Sequence, residues 1–264
     1  MSSDTAGRPR LRAVLVAFGL ALLGFVLVLP AAFVVSGVYT AAFGAEVDDV
    51  AALGISMIAL QGIAFPVTAW LYVRRRGVSW EYIPVAAPDL RDIAYVVAGF
   101  VFAFVAANVI GAALITVFST EPAQNTGATT ALANPEIIPY LAVLQILLIG
   151  PGEELLYRGV VQNRLGEALP APAAIFLASL IFASIHFFSL SGAPQARLVS
   201  ISVLVLPTLV FGTMYELSEN LVVPALIHGA YNATLFSLLY ITIRFAGMGE
   251  LPQFLAVVST TLPL

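Results

Sequence analysis

The chain has 264 residues, 60% hydrophobic and 10% charged, with a formal net charge of −4 and a mean hydropathy of +0.99. A soluble domain carries about 45–50% apolar and about 25% charged residues, so 11 basic and 15 acidic side chains cannot cover a soluble globule of this length; a soluble enzyme and a disordered chain are both excluded. The absence of cysteine removes disulfides, thiolate nucleophiles and thiolate metal sites, and the acidic balance offers nucleic acid no basic patch.

A helix crossing hydrocarbon needs about 20 mostly apolar residues. In chain order such stretches fall near 13–38, 50–73, 93–118, 137–166, 171–190, 198–216 and 221–245. They predict an all-α, polytopic transmembrane helix bundle of about seven spans, a single integral membrane domain over 1–264. The first stretch follows Arg8, Arg10 and Arg12 but is too long for a signal-peptide core, so it reads as an uncleaved anchor. The segment 74–92, with Trp80, Tyr82, Pro84 and Pro88, reads as an interfacial loop. The segment 119–136, rich in Thr, Ala, Asn and Pro, reads as a mobile loop. The apolar tail 251–264 is short for a span and stands as a candidate eighth or re-entrant segment.

Orientation follows from arginine placement. With the N-terminus in the cytoplasm, Arg8, Arg10, Arg12, Arg74, Arg75, Arg76, Arg91, Arg158 and Arg164 fall inside, and only Arg197 and Arg244 fall outside. The expected topology therefore has a cytoplasmic N-terminus, with 40–49 and 119–136 on the outer side.

Polar residues inside apolar spans are the informative ones, because each is costly there. Four places stand out: Gly150-Pro151-Gly152-Glu153-Glu154 through Arg158, His186, His228 with Asn232, and Asn108. Glu154 and Arg158 are i,i+4 with the acid first, the favourable order for a helical ion pair. Glu153 is rotated by about 100° from Glu154 and faces elsewhere. His228 and Asn232 share a helix face, as do Phe182 and His186. Glu153 and His186 lie equally far from the turn at Leu169-Pro170, about 24 Å along each helix, so they can face each other across a hairpin. His228 lies about 12 Å beyond the turn at Glu219-Asn220, which requires the 158–170 hairpin tip to project past the bilayer. The Gly150-Pro151-Gly152 run is expected to break the helix, start a fresh segment next to Glu153 and open the bundle to water. Asn108 reads as a helix–helix contact.

At these residues the chain resembles the CPBP (CAAX protease and bacteriocin-processing, or Abi) intramembrane protease family, which includes the type II CAAX prenyl endopeptidases. Glu153-Glu154 with Arg158 is similar to the first family motif, with Tyr157 where Phe is usual. Phe182 with His186, and His228 with Asn232, are similar to the later two. The motif core falls at about 137–245. The resemblance implies an intramembrane endopeptidase in which Glu153 and His186 activate water, His228 and Asn232 hold the oxyanion, and Glu154–Arg158 brace the helix. Glu153, His186 and His228 also match the three N/O ligands of a catalytic zinc site. No histidine pair sits on one helical turn, so no cofactor is favoured, and Zn²⁺ stays open.

The expected partners are the lipid bilayer and a membrane-associated peptide or protein substrate, prenylated or not, with no nucleic acid. The expected location is a prokaryotic cell membrane, with the site opening to the cytoplasmic side. Two other functions use the same residues: a non-catalytic membrane scaffold or immunity-type protein, and a proton-coupled transporter with Glu and His as relay groups. No internal repeat of the transporter kind is visible.

Overall fold

The computed structural model of the chain describes residues 4–119 and 123–246. Its helices are α1 (Asp4–Phe43), α2 (Asp49–Arg76), α3 (Leu90–Phe118), α4 (Thr126–Ala133), α5 (Pro135–Gly166), α6 (Ala171–Ile185), α7 (Pro194–Ser218) and α8 (Val222–Ala246). All but α4 belong to segments long and apolar enough to cross a membrane, which gives the seven spans predicted. The candidate eighth segment, 251–264, lies outside the described residues.

The bundle has an inside and a lipid side. The most apolar windows of α7 and α8 are 61% and 56% buried, against 28% for α1 and 18% for α3. The wall helices expose rows such as Leu15, Phe18, Leu22, Phe33, Val101 and Val105. In hydrocarbon such rows cost nothing, because lipid tails are as apolar as the side chains. Polar side chains therefore collect where α2, α5, α6, α7 and α8 meet.

At one end, three connections are tied together. Asp89 and Asp92 form a capping box that starts α3. Asp92 also accepts from Asn220 Nδ2 at 2.9 Å, and Asn220 exchanges two hydrogen bonds with the Ala86 backbone. Glu167 accepts from Arg76, Arg164 and the Tyr82 hydroxyl at 2.9–3.1 Å. Burial first, then the neighbouring Tyr72 and Glu167, push the Tyr82 hydroxyl well above its usual range, so it stays a donor. Asn163 donates to Tyr82 O and to the Tyr215 hydroxyl at 2.8 and 2.9 Å. The 158–170 tip thus packs against the 77–89 segment.

Two expectations are corrected. Within 119–136, where a loop is expected, the described residues from 123 on hold structure: Gln124–Asn125 pairs antiparallel with Leu190–Ser191, and α4 follows. Asn125 starts that helix by accepting from Gly127 N and Ala128 N, and Ala128 and Ala131 bury against the core. The Gly150-Pro151-Gly152 run does not break α5. The chain widens into a π-helical turn at Gln145–Ile149 and returns to α-helix at Gly150–Leu156. A proline ring inside a helix crowds the carbonyl four residues back; the wider turn absorbs it, so no free helix N-terminus faces Glu153.

Candidate active site

Three π-helical turns surround the glutamate pair: Gln145–Ile149 before it, Tyr157–Gln162 after it, and Ile58–Ala64 on α2 opposite it. Each shifts the register of its helix, a device often found where side chains must be re-aimed. Glycines then let the helices close. A Cβ on Gly152 would lie 2.5 Å from Gln61 O, and one on Gly150 would lie 2.7 Å from Ala225 O. Those contacts are to backbone, which cannot step aside cheaply. Gly152→Ala is therefore expected to push α2 away from Glu153 and to destabilise the protein by about 1–3 kcal/mol, read as a lower thermal midpoint in detergent. An unchanged midpoint would refute the close-approach role of Gly152.

Glu154, Arg158 and His228 are at most 1% exposed and form one cluster. Arg158 Nη1 donates to Glu154 Oε1 at 3.0 Å, Nε lies 3.0 Å from Oε2, and Nη2 donates to Thr208 O at 2.8 Å. The Phe182 and Phe211 rings face the guanidinium at 5.3 and 5.6 Å, contacts that favour a cation. His228 stacks on Phe211 at 4.9 Å, and its Nδ1–H donates to Glu154 Oε1 at 2.7 Å. That bond turns Nε2 toward Glu153, 3.7 Å from Oε2. Glu154 therefore contacts two groups: the Arg158 guanidinium and Nδ1 of His228.

Glu153 points away from this pair, as its 100° offset requires. Gln61 Nε2 donates to its Oε1 at 3.0 Å, while Oε2 is buried without a hydrogen-bond partner. Glu153, His186 and Gln61 line one cavity of about 70 Å³, walled by Phe25, Leu60, Phe65 and Phe188. That is room for water beside the carboxylate. His186 Nδ1 sits 2.9 Å from Phe182 O. A carbonyl only accepts, so this nitrogen carries the proton and Nε2 holds the lone pair.

The structure brings Glu153, His186 and His228 together and leaves Asn232 apart. Glu153 and His186 share the cavity wall, and His228 reaches Glu153 from behind. Asn232 is not among the lining residues, and its amide donates to Gln145 Oε1 at 3.0 Å. Asn108 donates to Phe104 O of its own helix, instead of to a neighbour. Gln61 and Gln145 escaped the reading of the sequence, although the signal was there: each is an amide in an apolar span, as Asn108 is. The histidines do not decide the zinc question: His228 and His186 place Nδ1 on Glu154 and on a carbonyl and keep Nε2 free, as metal-ligating histidines commonly do. Among the described residues no three His, Asp or Glu groups converge as metal ligands.

Comparison with known proteins agrees with the motifs. A protein of Bacillus subtilis (strain 168), named as the uncharacterized protein YpbD, is 37% identical over 102 residues, 39% of this chain. The matched part is 47% of YpbD, so the chain spans about half the length of that curated relative. No solved structure matches. Residues 135–234 match the family model for type II CAAX prenyl endopeptidases, Rce1-like. The matched segment includes Glu153, Glu154, Arg158, His186, His228 and Asn232, the residues at which the motifs resemble the same family.

Proposed function

We propose that this protein is an intramembrane endopeptidase that hydrolyses a peptide bond of a membrane-associated, CAAX-type substrate with water activated by Glu153 and His186. The observation that carries the reading is the Glu153 Oε2 atom. It is buried, lacks a hydrogen-bond partner, lies 3.7 Å from His228 Nε2 and belongs to a side chain on the His186 cavity.

His228 donates Nδ1–H to Glu154 and turns Nε2 toward Glu153; in the proposed reaction a substrate carbonyl that reaches Glu153 accepts from Nε2–H as its oxygen gains charge during attack. Water gives one proton to Glu153 and its oxygen bonds the carbonyl carbon, whose π electrons move to oxygen. Glu153 then returns the proton to the leaving amine as the C–N bond breaks. The His186 Nε2 lone pair holds the water by accepting its other hydrogen. Asn232, one turn beyond His228, adds to oxyanion binding only if a bound substrate releases its amide from Gln145.

Purified protein in lipid nanodiscs, offered a library of membrane-anchored peptides, tests the activity. Cleavage is expected that His186→Ala lowers by about 10²-fold or more; absence of cleavage from every anchored peptide would overturn the reading. We also propose a cytoplasmic N-terminus and a site entered from that side. The cysteine-free chain suits single-cysteine labelling. A cysteine at Glu81 should react with an impermeant reagent only from the cytoplasmic face, and one at Thr40 only from the outer face. The reverse pattern would invert the topology.

A further inference from the structure

Gln61 belongs to no motif, yet it is the side chain that grips the proposed base. It is 4% exposed, sits on the π-helical turn Ile58–Ala64 and donates Nε2 to Glu153 Oε1 at 3.0 Å. Its own Oε1 is buried without a hydrogen-bond partner, and the side chain lines the same cavity as Glu153 and His186. A buried amide oxygen left unpaired in a membrane interior costs stability, so leucine or methionine would suit this position better if packing were the only demand. The orientation of the amide is set by chemistry: turned over, its oxygen would face a carboxylate oxygen. The backbone has been arranged to allow the contact, because Gly152, next to Glu153, is the residue whose missing Cβ lets Gln61 approach.

We infer that Gln61 is a positioning residue for hydrolysis, acting through Glu153. By holding Oε1 it leaves Oε2 as the only carboxylate oxygen that can take a proton from water. The two hydrogens of the attacking water are then held by Glu153 on α5 and His186 on α6, and Gln61 on α2 fixes the carboxylate between them. The inference rests on the proposed role of Glu153, and its test separates the two.

The test compares Gln61→Met, Gln61→Leu, Glu153→Gln and the double variant Gln61→Met with Glu153→Gln on one cleavable anchored peptide. Methionine and leucine are apolar and of similar length, so folding is expected to hold, with thermal midpoints within about 3 °C of the parent. The expected result is a fall in kcat of about 10- to 100-fold, the scale of a misplaced reacting group, with KM within about twofold. The readout that a packing role would not move is non-additivity: adding Gln61→Met to Glu153→Gln should slow the enzyme no further, because there is no base left to position. Gln61 variants with the parent kcat, while Glu153→Gln is inactive, would overturn this inference and leave the proposed function standing. A further loss in the double variant equal to the loss in the single one would also overturn it. Full activity in Glu153→Gln would overturn both.

Discussion

Glu153→Gln is expected to lower peptide-bond hydrolysis by about 10²–10⁴-fold, the range for losing a general base, while the thermal midpoint and detergent-soluble yield stay at the parent level. The substitution keeps the length of the side chain and its oxygen can still accept from Gln61 Nε2, so packing against α2 is retained. What disappears is the one carboxylate oxygen without a hydrogen-bond partner on the cavity side chain. A folded Glu153→Gln enzyme with full activity, together with a folded and inactive Glu154→Gln, would reverse the roles of the two carboxylates.

The second large effect is on stability. Glu154→Gln strands Arg158, which is 0% exposed and has, among the described residues, Thr208 O as its other hydrogen-bond acceptor. Breaking a buried pair costs about 3–5 kcal/mol, a fall in thermal midpoint of roughly 6–20 °C for a chain of this size. Arg158→Met is expected to cost a similar amount, because it leaves the Glu154 charge with His228 alone. Combining Glu154→Gln with Arg158→Met removes both charges at similar volume and should recover more than half of the lost stability. Activity should not return with it, since His228 Nδ1 loses the carboxylate that orients it. Stability and activity are therefore expected to separate in the double variant. A Glu154→Gln protein as stable as the parent would show that the pair is not a brace, and recovery of activity in the double variant would show that Glu154 does not orient His228.

Composition and spacing determined much of this protein. The apolar lengths predict the seven spans, because the thickness of hydrocarbon leaves few alternatives for a helix. The i,i+4 order of Glu154 and Arg158 predicts their ion pair, and the angular offset of Glu153 predicts that it faces another helix. Chain-local geometry suffices for both. Tertiary structure decided which partners meet. Nothing along the chain says that His228, 74 residues after Glu154, takes its Oε1, or that Gln61, 92 residues before Glu153, takes the other carboxylate. Those contacts depend on helix rotation and on the register shifts of the π-helical turns, which the apolar pattern does not encode. The same shifts kept Gly150-Pro151-Gly152 helical where local propensity predicts a break. Asn232 followed its face to Gln145 instead of the cavity, because an amide in a buried bundle takes the acceptor that helix packing brings to it.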